Sequence, residues 1–265
     1  MNTNRGSYPV RENWIAFYTI FVKEIRRFLR IWPQTLLPPA ITMALYFVIF
    51  GNVIGSRIGE MGGFDYMTFV VPGLIMMSVI TNSYSNVASS FFGNKFQRSV
   101  EELLVSPVPN WIILMGFVMG GVCRGLGVAL IVTLLSLFFV DFQIYDISVT
   151  VLAIFLTATL FALGGFINAL YAKSFDDIAI IPTFVLTPLT YLGGVFYSVK
   201  ILPEFWQGLS QVNPILYQVN AFRYGLLGYS GVVNLWHAFL MMGLAVIVLF
   251  VYSLYLLNTG KGLRN

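Results

Sequence analysis

The sequence predicts an all-α integral membrane protein with six transmembrane helices. An amino-terminal interfacial helix, a short cytoplasmic helix between spans two and three, and two short re-entrant external helices between spans five and six complete the predicted fold. Hydrophobic residues make up 58% of the chain and charged residues only 10%, and the mean hydropathy is +0.81. These values exclude an ordinary soluble domain, and long continuous apolar runs favour helices over a transmembrane β-barrel.

Six apolar runs reach the roughly 20 residues that a helix needs to cross the hydrocarbon core of a bilayer. In chain order they are predicted at about 36–54, 67–88, 111–140, 149–171, 178–196 and 235–257. Composition does not change along the chain, and no internal repeat is visible. The whole of 1–265 is therefore assigned to a single transmembrane domain.

The distribution of Lys and Arg predicts the orientation of the spans, because cytoplasmic loops retain basic residues. The side with most of these residues carries Arg5, Arg11, Lys23, Arg26, Arg27, Arg30, Lys95, Arg98, Lys173, Lys261 and Arg264. The other side carries only Arg57, Lys200 and Arg223. Both termini are therefore predicted to be cytoplasmic, and the pI of 9.2 is attributed to membrane orientation and lipid contact, with no nucleic acid partner.

The segment at about 11–31 is predicted to be an amphipathic helix that lies along the inner membrane surface. Its apolar stripe consists of Trp14, Phe17, Tyr18, Phe21, Ile25, Phe28 and Leu29. Its basic face consists of Lys23, Arg26, Arg27 and Arg30. No small-residue cleavage site follows the apolar stretch, so a cleaved signal peptide is not expected.

A charged island at about 92–107 separates spans two and three and is predicted to be a cytoplasmic helix that docks on a partner protein. The charged residues at helical spacing in it are Lys95, Arg98, Glu101 and Glu102. Pro107 and Pro109 end this helix just before the third apolar run begins. The alternative interpretation is an ordinary solvated helix in a loop.

The external segment at about 203–227 is predicted to form two helices too short to span the bilayer, and therefore re-entrant or interfacial. Pro203 and Pro214 stand where helices begin, and Asn213 is a natural cap for the second helix. We expect these helices to form an outer gate, in which a carbonyl or a carboxylate holds Arg223.

Two polar stripes are candidates for the lining of a transport path. Span two carries Ser78, Asn82, Ser85, Asn86 and Ser89, and span five carries Thr183, Thr187, Thr190 and the neighbouring Tyr191. Pro182 and Pro188 weaken the backbone hydrogen bonds of span five and permit bending. The alternative is that these side chains bond to carbonyls of their own helix or to neighbouring helices.

Several other kinds of site are disfavoured by the sequence. A single Cys123 and a single His237 provide neither a disulfide nor a histidine metal cluster, so no metal site is predicted. The only Gly-Lys pair, at 260–261, lacks the rest of a P-loop. Arg124 lies within span three near several glycines, which are expected to allow the close approach of a neighbouring helix, and a structural role is favoured for it.

Two segments resemble the ABC type 2 permease family. EELLVSPVPNWIILMG, from Glu101 to Gly116, is similar to the family's segment between spans two and three, and LGGVFYSVKILPEFWQGLSQVNPILYQVNAFRYGLL, from Leu192 to Leu227, is similar to its signature after span five. The resemblance implies a bacterial inner-membrane exporter in which two permease copies bind two ATPase subunits. It also implies that the island is the coupling helix, and that ATP and Mg²⁺ bind to the ATPase rather than to this chain, which has no enzymatic activity of its own.

Two alternatives from other functional classes remain. A gradient-driven secondary transporter usually needs carboxylates within the membrane, whereas every Asp and Glu here lies at or outside a span end. A membrane-embedded enzyme of lipid metabolism would depend on Asp176 and Asp177 beside Lys173, although such carboxylates more often cap the next helix. The mildly polar stripes fit an amphipathic or lipid-linked substrate, and the sequence does not identify it further.

Overall fold

The computed structural model describes residues 10–141, 144–229, 231 and 233–262, nearly all of them helical. The helices are α1 (Val10–Arg30), α2 (Trp32–Thr35), α3 (Leu37–Val48), α4 (Ser56–Ile58), α5 (Tyr66–Phe96), α6 (Ser99–Val105), α7 (Asn110–Ser136), α8 (Ile147–Tyr171), α9 (Phe175–Ile181), α10 (Thr187–Leu192), α11 (Glu204–Val212), α12 (Pro214–Leu227) and α13 (Leu235–Thr259). Two π-helical segments, Ile49–Gly55 and Pro182–Leu186, and a 3₁₀ turn, Val199–Ile201, lie between them. The short strands β1 (Glu60–Met61) and β2 (Phe64–Asp65) form an antiparallel hairpin.

Six stretches of the described chain are long and apolar enough to cross a membrane, which confirms the all-α prediction with six candidate spans. They are Trp32–Ile58, Tyr66–Phe96, Asn110–Ser136, Ile147–Tyr171, Phe175–Leu192 and Leu235–Thr259. The span boundaries lie within about 4 residues of the predicted ones, except that α5 runs on to Phe96, well beyond the predicted end of span two. Arg5 and Arg264, which were assigned to the cytoplasmic side, lie outside the described residues.

Helix α5 is the centre of the bundle, and α7 and α8 pack along its length. Glycine permits this close approach: a Cβ at Gly121 would collide with Val87, and one at Gly165 would collide with the backbone of Tyr84. The expectation that the glycines of span three admit a neighbouring helix is therefore confirmed. Gly127 is the exception, since a Cβ there would meet open space.

Contacts between helix termini define two ends of the bundle. At the α6 end, the start of α7 meets the end of α13 through a hydrogen bond of 2.7 Å from Asn110 Nδ2 to Asn258 Oδ1. At the α12 end, the amide of Asp146 before α8 donates to Gly225 O at 2.8 Å. The hydroxyl of Tyr66 at the start of α5 donates to Phe196 O at 3.1 Å at this same end.

Helix α1 packs along the first half of α7. A Cβ at Gly116 would collide with Ile20 and one at Gly120 with Glu24, so the two helices run in the same direction. On α1, Glu24 is buried and Arg27 is half-buried, whereas Trp14 of the predicted apolar stripe is 64% exposed. Arg27 of the predicted basic face is not free in solvent, because Glu24 of α1 and Asn86 of α5 provide polar partners for it.

The charged island is two helices rather than one. Helix α5 continues through Phe92 to Phe96, and α6 begins only at Ser99. Arg98 lies between them with φ of 59°, a left-handed conformation that ends the α5 helix and is uncommon outside glycine. The single helix predicted over 92–107 is therefore corrected to a short α6, which ends before the extended Ser106 and Pro107.

Span five is interrupted, as its prolines predict. A capping box of Ser174 and Asp177 starts α9. Of the two carboxylates expected to cap this helix, Asp176 and Asp177, it is Asp177 that does so. The π-helical segment Pro182–Leu186 then separates α9 from α10. Most side chains of this span, like those of span one, are exposed in the single chain.

The segment between spans five and six contains two short helices, α11 and α12, of 9 and 14 residues. Asn213 Oδ1 accepts from the amide of Ile215 and caps α12, and Pro214 is its first residue. Helix α12 is largely buried, while Phe205 and Val212 of α11 are exposed. The caps predicted from the sequence are confirmed, and the re-entrant position of these helices stays a prediction.

Candidate functional site

Helix α6 lies at one end of the bundle, with one face packed against the core and the other exposed. Glu101 and Glu102 are exposed in its first turn, where carboxylates interact favourably with the helix dipole. Val105 at its last turn is 86% exposed, and it lines a shallow concave surface with the two glutamates and Ser106. An exposed aliphatic residue beside two carboxylates is typical of a protein-docking surface with a small apolar centre and a charged rim.

Lys95 is separate from this surface, although the sequence grouped it with Glu101 and Glu102. Its Nζ donates to Leu170 O at 2.6 Å and to Ala172 O at 2.9 Å. These carbonyls belong to the carboxyl end of α8, where a cation interacts favourably with the helix dipole. Lys95 therefore joins the end of α5 to the turn that leads into span five.

An aromatic cluster supports the same junction. The ring of Phe175, the first residue of α9, lies 4.9 Å from the ring of Phe92 and 5.3 Å from that of Phe96. The sequence analysis missed this cluster. The spacing of Phe92 and Phe96, which places both rings on one helical face, was the available signal.

The polar stripe of span two faces α7 and α1. Asn82 Oδ1 accepts from Arg124 at 3.1 Å, and Asn86 Oδ1 accepts from Arg27 at 2.8 Å. Ser78 is buried and donates to a carbonyl of its own helix, and Ser85 is half-buried. In the single chain Ser78, Asn82 and Asn86 are therefore engaged within the protein, which is the arrangement of the alternative interpretation.

These contacts form an Arg124 cluster, composed of Glu24, Arg27, Asn82, Asn86 and Arg124. Glu24 is fully buried, and its Oε2 accepts from Arg27 Nε at 3.3 Å. Arg124 also donates to Thr35 O at 3.3 Å. Within the described residues, Arg124 Nε, Glu24 Oε1 and Asn86 Nδ2 are buried without a hydrogen-bond partner. Glu24 thus pairs with Arg27, whereas Arg124 bonds to Thr35 and Asn82, and part of the hydrogen-bonding capacity of the cluster is unused.

Sequence analysis missed Glu24 and Arg27 as members of this cluster. Glu24 lies four residues from both Ile20 and Phe28, which are buried, and this spacing places it on their helical face. That pattern was the available signal.

The threonines of span five lie elsewhere. Thr183 and Thr187 are exposed, while Thr190 is buried and donates to Leu186 O at 2.6 Å. Thr187 donates to Pro182 O, and Tyr191 is exposed next to α10's end. The two predicted stripes therefore do not face each other within one chain.

Arg223 is the centre of a second cluster, formed with Phe69, Gly194 and Val195. Its Nε donates to Phe69 O at 3.1 Å, and one terminal nitrogen donates to Gly194 O at 2.9 Å and Val195 O at 3.5 Å. The guanidinium carbon lies 4.0 Å from the centre of the Phe69 ring. The expectation that a carbonyl holds Arg223 is confirmed, and three carbonyls from α5 and the turn after α10 do so.

The neighbouring cap residues extend this cluster. Asn213 Nδ2 donates to Leu189 O, so the residue that caps α12 also ties it to α10. Pro203 precedes α11, where the side chain of Gln207 donates to Leu202 O at 2.7 Å. The segment from 194 to 227 is therefore bonded to both span two and span five.

A family model described as ABC-2 type transporter matches residues 15–227. The chain belongs to this family. It is 59% identical over 257 residues to the inner membrane transport permease YadH of Escherichia coli K12, covering 95% of this chain and 98% of that protein. It is also 23% identical over 222 residues to nodulation protein J of Neorhizobium galegae, covering 82% of each chain.

Family membership and the six candidate spans together define the class of protein. The chain is a multi-pass inner-membrane permease of ABC type, and such a permease is not itself an enzyme. ABC-2 permeases generally dimerise and work with an ATPase subunit. Of the two sequence segments that resembled this family, 101–116 contains the exposed surface of α6, and 192–227 contains the Arg223 cluster.

Proposed function

We propose that this chain forms the substrate pathway of an ATP-binding cassette exporter, as a homodimer driven by two copies of a separate ATPase subunit. The position of α6 carries this proposal. It presents Glu101, Glu102 and Val105 at the end of α5, the central helix of the bundle. A partner that displaces α6 would act directly on the helix around which α7 and α8 are packed.

In this proposal the α6 end and both termini face the cytoplasm. ATP and Mg²⁺ bind to the ATPase subunit, and this chain holds no cofactor. Arg98, exposed at the junction between α5 and α6, adds a positive charge beside the two glutamates. Charges of both signs around an apolar centre favour one orientation of the docked partner.

Lys95 provides a second connection, from the end of α5 to span five, through which the proposed movement of α6 is transmitted. Its bonds to Leu170 O and Ala172 O connect the end of α5 to the turn before span five. The contact between Phe92 and Phe175 reinforces this connection. Displacement of α6 is therefore passed to span five as well as to α5.

The exposed sides of spans one and five suit the dimer interface and the transport path. Thr183, Thr187 and Tyr191 on span five provide mildly polar groups among apolar ones, which suits an amphipathic or lipid-linked substrate. The stripe of span two, with Asn82 and Asn86, would reach the path only if Arg124 and Arg27 released it. Thr190 and Ser78, whose hydroxyls donate to carbonyls of their own spans, would stabilise the two spans beside the path.

Helices α11 and α12 are proposed to close the path at the opposite end. Pro203, Asn213 and Pro214 set their starting points, and Arg223 bonds α12 to span two and to the turn after span five. Such a unit would open as one body when span five moves.

The test is purification of the tagged permease together with the ATPase encoded beside its gene. Comparison of the wild type with Glu101→Ala/Glu102→Ala then measures the role of α6. We expect a stable complex for the wild type, and for the double variant either loss of the ATPase or hydrolysis that no longer responds to the permease.

Glu60→Ala/Glu204→Ala is the matched control, since both glutamates are exposed and belong to other elements. Binding that is equally weakened in the control would contradict a specific role for α6. A chain that purifies without any ATPase and moves solute with an ion gradient would replace the proposal by a gradient-driven carrier.

A further inference from the structure

A groove beside the start of α7 is not used by the proposed coupling, dimer or gate. Its volume is about 420 Å³, and it is lined by Asn13, Trp14, Phe17, Trp111 and Met115. Four of the five lining side chains are apolar or aromatic. The groove therefore suits a hydrocarbon chain better than a polar solute.

The groove is open because both of its tryptophans are exposed. Trp14 is 64% and Trp111 is 49% exposed, and the rings of Trp14 and Phe17 lie 5.6 Å apart. Trp111 is the second residue of α7, which places it at the end of a membrane span. Tryptophan is enriched at the boundary between lipid tails and headgroups. We therefore expect the groove to lie at the level in the membrane where an acyl chain joins its headgroup.

Charge around the groove identifies the headgroup. Arg11 is exposed and precedes Trp14 by three residues, so both lie on one face of α1. Glu12, which is also exposed, lies on the opposite side of α1 from Trp14, because successive residues of a helix are about 100° apart. A helix with exposed basic residues beside an apolar surface binds anionic lipid in preference to zwitterionic lipid.

We propose that the groove between α1 and α7 is a binding site for an anionic phospholipid of the leaflet at the α6 end. One acyl chain lies against Trp14, Phe17, Trp111 and Met115, and Arg11 attracts the phosphate. A second copy of this chain is disfavoured as the occupant, because a symmetric contact there would bring the two positively charged α1 helices together. The site does not depend on the transported substrate or on an ATPase.

The test uses the fluorescence of Trp111 in a variant with Trp14→Phe, Trp32→Phe, Trp206→Phe and Trp236→Phe. The protein is reconstituted in phosphatidylcholine vesicles that contain rising fractions of brominated phosphatidylglycerol or brominated phosphatidylcholine, whose acyl bromines quench tryptophan on contact. We expect brominated phosphatidylglycerol to reach half-maximal quenching at a fraction about fivefold lower than brominated phosphatidylcholine does. This is the preference that one basic residue near the membrane surface provides.

Two controls separate this site from general lipid contact. A variant that keeps only Trp236, which is 83% exposed on α13, is expected to be quenched equally by both lipids. Arg11→Gln is expected to remove most of the preference at Trp111, whereas Arg57→Gln, also exposed, is expected to leave it unchanged.

Equal quenching of Trp111 by the two lipids would overturn the proposal in favour of ordinary boundary lipid. Trp111 that neither lipid quenches would also overturn it, because protein would then cover the groove. In that case a disulfide between two copies of a Trp111→Cys/Cys123→Ser variant would identify the second copy as the cover.

Discussion

The two arginines inside the helical bundle, Arg223 and Arg124, are satisfied to very different degrees. Arg223 is buried and donates to three carbonyls beneath an aromatic ring. Arg124 donates to one backbone carbonyl and one side-chain amide, and leaves a buried nitrogen unpaired within the described residues. A fully bonded group fixes one arrangement, whereas a partly bonded one permits several. Arg223 therefore holds α12 to α5 and to the turn after α10, whereas the contacts of Arg124 are the ones that can rearrange.

The largest effect is expected for Arg223→Met. The change leaves the carbonyls of Phe69, Gly194 and Val195 without their donor in a buried site, which costs about 3 kcal/mol or more. Thermal unfolding of the detergent-solubilised protein, followed by size exclusion, measures the loss. Arg57→Met at an exposed position is the control, and equal melting temperatures for the two variants would refute the structural role of Arg223.

Glu24→Gln is expected to have the next largest effect. It removes the negative charge to which Arg27 donates in a buried site, at a cost of about 2 kcal/mol. The same melting assay applies, with Glu12→Gln on the exposed side of α1 as its control. If Glu24→Gln and Glu12→Gln have the same melting temperature, the Arg124 cluster does not hold α1 on the bundle.

Lys95→Met is expected to cost about 1.5 kcal/mol, since it removes two hydrogen bonds from a charged donor at a partly exposed site. Its main effect is on the stimulation of ATP hydrolysis in the complex, because the end of α5 is released from the turn before span five. Lys173→Met in the same turn is exposed and serves as the control. Stimulation that is identical in both variants would mean that Lys95 does not transmit movement.

Arg124→Met is expected to have the smallest effect, within about 1 kcal/mol of the wild type. An apolar residue of similar length removes an incompletely bonded charge and its repulsion of Arg27, which offsets the lost bonds to Thr35 and Asn82. The comparison of Arg124→Met with Arg223→Met in one melting assay tests the difference between the two clusters. Destabilisation of equal size would show that both are rigid.

Sequence reasoning predicted most of the fold because the bilayer imposes a simple requirement. Runs of about 20 apolar residues report lipid contact directly, so six spans followed from composition and length. The cap at Asn213 and the interruption at Pro182 were also predictable, since both depend on residues within a few positions of each other. Boundaries were less certain, and α5 extends well beyond the predicted span two.

The partners of buried polar groups could not be predicted in this way. Whether Arg27 faces solvent or protein depends on Asn86, which is distant in sequence and reaches it only after α1 packs on α7. Arg98 gave no signal of its left-handed conformation, because glycine or asparagine usually marks such a position. The bonds of Lys95 to the end of α8 separate it from the exposed surface of α6, with which the sequence alone had grouped it.

Hydrogen–deuterium exchange of the permease bound to its ATPase tests the central claim most directly. Exchange is compared in nanodiscs without nucleotide and with the ATPase trapped by ATP and vanadate. We predict changes at 97–106 and 170–177, where α6 and the Lys95 junction lie, with protection at 214–227 unchanged because Arg223 holds α12 as one unit. Exchange that changes within 214–227 while 97–106 stays constant would contradict the claim that movement enters at the α6 end.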